Sequence, residues 1–151
     1  MESLATTVSF LSAIALGLSA GALLVEGAVL IPFWRSQQPE AFLAWYREHA
    51  ALLLRFFGPM EISAAVIAVL VALLKWTSAG SDAHLSIAAA VLAVAVLGSF
   101  PLYFQRANAS FAAGTIAVDR VAPELRRWAL WHLARTAIAM ASFILAVLAL
   151  G

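Results

Sequence analysis

The sequence predicts an all-α fold, an antiparallel bundle of four transmembrane helices within one domain of residues 1–151. The first observation is composition, because 64% of the residues are hydrophobic and 11% are charged, whereas soluble domains carry about a quarter charged residues. The second is that four segments have the roughly 17 to 25 apolar residues needed to cross a bilayer. They cover approximately residues 7–31, 56–74, 85–104 and 128–150. We therefore expect a multi-pass integral membrane protein that is embedded in a lipid bilayer.

Local signals mark the ends of these spans. Pro32 ends the first span, and Lys75 and Trp76 follow the second. No basic residue precedes the first span, which is also longer than the apolar region of a signal peptide, so we expect a retained helix. The third span contains Pro101, whose ring frees a backbone carbonyl one turn earlier. The fourth helix is predicted to begin outside the membrane at Pro123, because proline suits the first turn of a helix.

Residues 39–57, between the first two spans, form an amphipathic segment. Apolar side chains such as Trp45 lie on one face and Arg47 lies on the other. The segment either lies in the membrane interface or extends the second helix into water, with a kink at Gly58 and Pro59. Both alternatives are open, and the extended helix is favoured.

The basic residues are distributed unevenly between the two sides of the predicted bundle. One side, formed by the connections between spans one and two and between spans three and four, holds Arg35, Arg47, Arg55, Arg106, Arg120, Arg126, Arg127 and Arg135. The opposite side has Lys75. By the positive-inside rule, we expect both arginine-rich loops in the cytoplasm, both termini outside, and a location in the inner (plasma) membrane.

Four ionisable residues, Glu26, Glu61, His132 and Arg135, lie within or at the end of these apolar spans. Small residues lie at helical spacing on the same stripes, and small residues mark the faces where membrane helices pack closely. All four side chains are therefore predicted to point into the bundle. Since a charge inside a membrane helix costs about 2.5 to 3.5 kcal/mol on insertion scales, we interpret them as candidate catalytic residues. The alternative is an internal salt bridge that only stabilises the bundle.

Several metal and cofactor chemistries were weighed against the sequence. The chain has no cysteine, which excludes thiolate sites, and the Glu-x-x-His pairs of di-iron bundles do not occur. His132 and His49 with one glutamate are an alternative donor set for an iron site. Haem bound through His132 is the main cofactor alternative, but nothing in the sequence requires a cofactor or a metal. Gly-rich phosphate loops, a Ser-His-Asp spacing and features of nucleic-acid binding are not found.

Gly17 and Gly21 form a Gly-x-x-x-Gly pattern on the face of the first helix opposite Glu26. Such a pattern allows close helix packing. It predicts either packing within the chain or a contact with a second copy or another membrane subunit.

The start of the fourth span resembles a known family. Trp128, His132 and Arg135 match the W-x3-H-x2-R signature of the DUF1772 membrane proteins, which include anthrone oxygenase-like proteins. The placement of the first span and of the stretch from Pro101 to Asn108 is similar.

The resemblance implies a four-helix membrane protein that oxidises a hydrophobic aromatic molecule of the anthrone type with molecular oxygen. It implies roles for Trp128, His132, Arg135 and Asn108. In this interpretation a histidine or carboxylate removes a proton, Arg135 holds the resulting anion, and Trp128 and Phe104 flank a flat ring. The alternative function is a non-catalytic membrane subunit that docks a partner through Gly17 and Gly21.

Overall fold

The computed structural model describes residues 2–77 and 83–151. Within these ranges, the helical segments form four continuous rods that we call α1 to α4, and each is long and apolar enough to cross a membrane. Helix α1 comprises Glu2–Val25, a π-helical turn at Glu26–Leu30, and Ile31–Ser36; α2 is Pro39–Thr77; α3 comprises Ala83–Ser99, a π-helical turn at Phe100–Phe104, and Gln105–Ala113; and α4 is Val118–Leu148. The predicted all-α four-helix membrane fold is confirmed.

The helices pack in a square in which chain neighbours lie side by side. Helices α1 and α3 occupy opposite corners, and each packs against both α2 and α4. The connections α1–α2 and α3–α4 lie at the same end of the bundle, which also holds most of the arginines. We call it the arginine-rich end. Here the guanidinium Nε of Arg47 on α2 donates a 3.4 Å hydrogen bond to the carbonyl of Ala112 on α3.

All four helices extend further at this end than the predicted spans. The prediction that Pro32 ends the first span is wrong, because Pro32 lies in the first turn of the Ile31–Ser36 segment, where proline is tolerated, and α1 continues to Ser36. Helix α2 begins at Pro39, so residues 39–57 extend the second span, with Pro59 inside the helix. Helix α4 begins at Val118 rather than at Pro123, and Asp119 in its first turn complements the helix dipole. Helix α3 continues past residue 104. The extra turns are held because their apolar side chains, including Phe42, are buried in the core.

Gly114 ends helix α3. Its φ of +63° is left-handed, a conformation that glycine adopts without the steric cost of a Cβ atom. The amide groups of Gly114 and Thr115 then donate to the carbonyl groups of Phe111 and Ser110, at 3.2 and 3.1 Å. These bonds satisfy the last carbonyl groups of the helix and turn the chain toward α4.

The core has two halves of different composition. The half nearer the arginine-rich end is aromatic, whereas the other half is built mostly from alanine, as expected where close packing holds membrane helices together. The aromatic half includes Trp34, Phe42, Tyr46, Tyr103, Phe104, Phe111 and Trp128, and the alanine half includes Ala13, Ala64, Ala65, Ala68, Ala72, Ala89, Ala90, Ala93 and Ala146.

Gly17 packs within the chain. A Cβ atom at this position would lie 2.9 Å from the ring of Phe143 on α4, whereas a Cβ atom at Gly21 would meet nothing within 4 Å. Of the two alternatives predicted for this pattern, the structure therefore shows intramolecular packing for Gly17. The homodimer or second-subunit contact stays a prediction.

A candidate intramembrane acid–base site

The four ionisable residues predicted to converge do so. Glu26 from α1, Glu61 from α2, and His132 and Arg135 from α4 are all buried, with 2 to 7% of their surface exposed. Glu61 lies 15 residues from Trp76, which is roughly 22 Å along the helix axis. The cluster therefore lies inside the bundle, on the side of the membrane midplane nearer the arginine-rich end.

Arg135 is the centre of the cluster, because each of its three nitrogens faces an acceptor. Nη2 donates to Oε2 of Glu26 at 2.8 Å, and Nε donates to Nδ1 of His132 at 3.2 Å. Nη1 lies 3.7 Å from Oε1 of Glu61, an ion pair beyond hydrogen-bond distance. Arg135 therefore joins three helices, with a much closer contact to Glu26 than to Glu61.

The contacts of His132 determine which ring nitrogen carries a proton. Nε2 lies 2.9 Å from the carbonyl oxygen of Leu23, and a carbonyl only accepts, so Nε2 is the protonated nitrogen. Nδ1 accepts from Arg135, so we assign the neutral tautomer. The 3.4 Å separation between Nδ1 and Oε2 of Glu26 is then bridged by the guanidinium, which donates to both atoms.

The position of His132 depends on two neighbours that the sequence interpretation overlooked. A Cβ atom at Gly27 would lie 3.3 Å from Nε2 of His132, so the absence of a side chain there permits the close approach to α1. The hydroxyl of Thr136 donates to the carbonyl of His132 at 2.8 Å and lies 3.3 Å from Nε2. The i, i+4 spacing of His132 and Thr136 on one helix was the available sequence signal.

Aromatic rings cover the cluster on the side of the arginine-rich end. Trp128 stacks on His132 with an angle of 8° between the rings, and its indole N–H donates to Oδ1 of Asn108 at 2.8 Å. The guanidinium carbon of Arg135 lies 4.1 Å from the centre of the Phe104 ring, a cation–π contact. Phe104 is completely buried and does not line the cavity, so it packs against the guanidinium of Arg135 within the core.

A cavity of about 480 Å³ lies beside the cluster, between α2 and α3. This volume falls within the range of small-molecule sites. The cavity reaches from the arginine-rich end to the level of Glu61 and is lined by Glu26, Tyr46, Ala50, Ala51, Leu53, Leu54, Phe57, Gly58, Glu61, Ile62, Leu97, Phe100, Gln105, Asn108, Ala109, Ala112, Trp128 and Arg135. In the alanine half of the core the spaces between the helices are much smaller, about 10 Å³ in each of two places.

Glu61 is the carboxylate in the cavity wall whose hydrogen bonding is incomplete. Its Oε1 atom is buried and has no hydrogen-bond partner within residues 2–77 and 83–151, and the residue lines the cavity. Buried carboxylate oxygens are normally hydrogen-bonded. Glu26 also lines the cavity, but its Oε2 atom accepts from Arg135. Glu61 is thus the group placed to receive a donor from a molecule in the cavity.

The structure divides the predicted site residues into two groups. Glu26, Glu61, Arg135, Asn108 and Trp128 line the cavity, whereas His132 and Phe104 lie behind that wall. The catalytic and substrate-binding roles assigned from the sequence stay predictions. Two further polar residues line the cavity, Tyr46 and Gln105; they were missed because the sequence placed them outside or at the edge of the predicted spans.

The donor sets predicted as alternatives for metal and haem do not fit this geometry. His49 is stacked on Trp45 and bonded through Nδ1 to the Trp45 carbonyl at 2.8 Å, away from the cluster. Among the described residues, no group of three histidine or acidic side chains is arranged to hold a metal ion. Both ring nitrogens of His132 are occupied by Leu23 and Arg135, which leaves no nitrogen to ligate a haem iron.

Compared with protein-family models, with curated protein sequences and with solved structures, the chain has no match in any of the three. The functional interpretation therefore rests on the cavity and on the charged residues in its wall.

Proposed function

We propose that this membrane protein is an oxidoreductase that binds a hydrophobic aromatic molecule in the α2–α3 cavity, with Glu61 as the base that removes a proton from it. The observation that carries the proposal is the buried carboxylate of Glu61, which lines the cavity and has an oxygen, Oε1, that accepts no hydrogen bond from the described residues. A carboxylate in that environment is a strong proton acceptor once a substrate group approaches it.

The reaction class follows the resemblance of Trp128, His132 and Arg135 to the DUF1772 signature. In an anthrone-type substrate, an activated CH₂ group loses a proton to Glu61 and becomes an enolate-like carbanion. The carbanion reacts with molecular oxygen, and loss of water from the resulting peroxide leaves a ketone. One CH₂ group and one O₂ molecule thus give one C=O group and one H₂O molecule, and no other oxidant is needed.

The charges in the cluster suit this step. Before proton transfer, the guanidinium of Arg135 lies between two carboxylates. After transfer, Glu61 is neutral and the substrate carries the negative charge, so Arg135 keeps two anionic neighbours. A fixed cation beside the position where negative charge develops lowers the barrier. Proton transfer therefore moves the negative charge from Glu61 to the substrate, and the positive charge of Arg135 keeps two anionic neighbours throughout.

The surrounding residues act as positioning groups in this proposal. Trp128 offers an aromatic wall of the cavity and is held by Asn108, so both can orient a planar substrate. His132 holds the Nε edge of Arg135, and Phe104 supports the guanidinium plane. We assign the base role to Glu61 rather than to His132, because Glu61 lines the cavity and His132 does not.

The orientation in the membrane is part of the proposal. The arginine-rich end, where the cavity begins, is assigned to the cytoplasm by the positive-inside rule. Both termini would then face outward from the inner membrane.

Oxygen consumption by purified protein in nanodiscs tests the function. With an anthrone-type substrate, and with the rate in empty nanodiscs subtracted, the wild-type protein is expected to consume one O₂ per ketone formed. Glu61→Gln should lower this rate about 100-fold, the lower end for loss of a general base. Glu48→Gln, on an exposed position of the same helix, is the matched control and should keep it. Equal rates in wild-type and empty nanodiscs would refute the proposal.

One observation favours a second candidate, a non-catalytic membrane subunit. Arg135 connects α1, α2 and α4, which is what a purely structural ion cluster would do. In that case Glu61→Gln would lower stability, and no small molecule would bind in the cavity. Because Gly17 packs on Phe143, a partner that docks on the predicted Gly17 and Gly21 face would contact it mainly at Gly21, where no described atom lies within 4 Å of an added Cβ atom.

A further inference from the structure

We infer that the cavity selects a lipid-soluble molecule that is electrically neutral and carries a hydrogen-bond donor, such as a phenol with an apolar tail, and rejects an anion of the same shape. This inference deepens the proposed function and rests on it in taking the α2–α3 cavity as the substrate site. It concerns which molecules bind there, not what reaction follows.

The balance of charge in the wall argues against anions. Arg135 is the one cationic side chain among the residues that line the cavity, and its three nitrogens already face Glu26, Glu61 and His132. With His132 neutral, two carboxylates face one guanidinium. A fatty acid or a phosphate would meet a wall with excess negative charge, and like charges at close range destabilise binding strongly.

The incomplete hydrogen bonding of the Glu61 carboxylate argues for a ligand that carries a donor. A buried acceptor without a partner is costly, and a hydrogen bond to a charged group is stronger than one between neutral groups. A phenolic O–H placed against the Glu61 carboxylate would supply a hydrogen bond that the described protein groups do not. The molecule need not be charged to do so, and a neutral molecule crosses hydrocarbon far more easily than an ion.

The shape and opening of the cavity indicate that the ligand comes from the bilayer. Lining residues on α2 run from Tyr46 to Ile62, roughly 24 Å along the helix axis, so 480 Å³ describes a long, narrow space. Leu54 and Ile62 line it, yet they are 55% and 50% exposed on the outer surface of the bundle. Because Ile62 lies within the predicted second span, its exposure indicates an opening between α2 and α3 toward the hydrocarbon at this level. A ring with an apolar tail fits this space.

A pair of matched probes tests the inference. The probes are a 4-alkylphenol and a 4-alkylbenzoate with the same brominated tail, added to the protein in nanodiscs of neutral lipid at pH 7.5. Phenols have a pKa of about 10 and carboxylic acids of about 4, so only the benzoate is charged. Bromine quenches tryptophan fluorescence at close range. Loss of the saturable signal in Trp128→Phe, and its retention in Trp76→Phe on the exposed surface, assigns the signal to the cavity.

The wild-type protein is expected to bind the phenol about tenfold or more tightly than the benzoate, the value of one hydrogen bond to a charged group. Glu61→Gln should reduce this preference, because it removes one negative charge and leaves the charges of Glu26 and Arg135 balanced. Glu48→Gln should leave the preference unchanged. Equal affinities in the wild type, no saturable binding of either probe, or an unchanged ratio in Glu61→Gln would each overturn the inference. Should Glu61→Gln not fold, the wild-type ratio decides.

These outcomes separate the inference from the proposed function. If the phenol is preferred but no oxygen is consumed with an anthrone-type substrate, the cavity selects neutral donors and the oxidoreductase proposal fails. If oxygen consumption depends on Glu61 but the two probes bind equally, the oxidoreductase proposal stands and the inference fails.

Discussion

The two carboxylates beside Arg135 should contribute differently to stability, and this difference can be estimated from the structure. Glu26 lies 2.8 Å from the guanidinium and is hydrogen-bonded to it, whereas Glu61 lies 3.7 Å away without a hydrogen bond. With an effective dielectric constant of about 20, the attraction between unit charges is about 6 kcal/mol at the first distance and about 4.5 kcal/mol at the second. The hydrogen bond adds roughly 1 kcal/mol or more to the first pair.

Double-mutant cycles measure these couplings. The variants are Arg135→Gln, Glu26→Gln and Glu61→Gln, with the two double variants that contain Arg135→Gln. Arg135→Gln alone should lower the free energy of unfolding by about 3 to 5 kcal/mol, because it leaves buried carboxylates without a cation. The coupling energy of Arg135 with Glu26 should exceed that with Glu61 by about 2 kcal/mol.

Unfolding in mixed micelles, followed by circular dichroism as the denaturing detergent is increased, gives the required free energies. Glu48→Gln serves as the surface control and should change stability by less than about 0.5 kcal/mol. Glu61→Gln should be close to this control, since it also removes a negative charge near Glu26. A coupling of Arg135 with Glu61 equal to or larger than that with Glu26 would refute the assignment of Glu26 as the structural partner.

Two further predictions concern helix packing and the opening of the cavity. Gly17→Leu should lower the free energy of unfolding by about 1 to 3 kcal/mol, because its Cβ atom would lie 2.9 Å from Phe143. Gly21→Leu should not, because a Cβ atom there meets no described atom within 4 Å. Equal effects of the two variants in thermal unfolding would contradict the packing of Gly17 on Phe143. Leu54→Trp should narrow the opening between α2 and α3 and so slow binding of the brominated phenol in stopped-flow fluorescence. Leu52 is exposed but does not line the cavity, so Leu52→Trp should bind the phenol at the wild-type rate. Equal binding rates of the two variants would show that the ligand enters elsewhere.

The convergence of the site was predictable because membrane helices follow simple packing rules. Small residues at helical spacing from Glu26, from Glu61 and from His132 mark faces that pack closely, and three such faces on neighbouring helices are expected to meet. The same pattern explains why the fold class could be predicted from span length and composition alone. The distinct roles of Glu26 and Glu61 could not be predicted, because both lie on similar stripes. Only distances to Arg135 separate them.

Other features depend on contacts that sequence spacing does not encode. The orientation of His132 toward Leu23 requires a close approach that Gly27 permits, and no local pattern specifies which glycine faces which histidine. Two π-helical turns rotate the side chains that follow them to a different face of the helix. One begins at Glu26, and the other contains Pro101. A prediction based on regular 3.6-residue periodicity misses both turns.

Glu61 is the feature that a structural explanation of the cluster does not account for. A salt bridge between Arg135 and Glu26 already neutralises the guanidinium and hydrogen-bonds to it. Adding a second buried carboxylate places an excess negative charge inside a membrane helix, where each ionisable group carries an insertion cost, and leaves one oxygen without a donor. Alanine or leucine at this position would pack against the alanine half of the core without that cost. A group that is unfavourable for stability and faces a cavity open to lipid is best explained by what it does to a bound molecule.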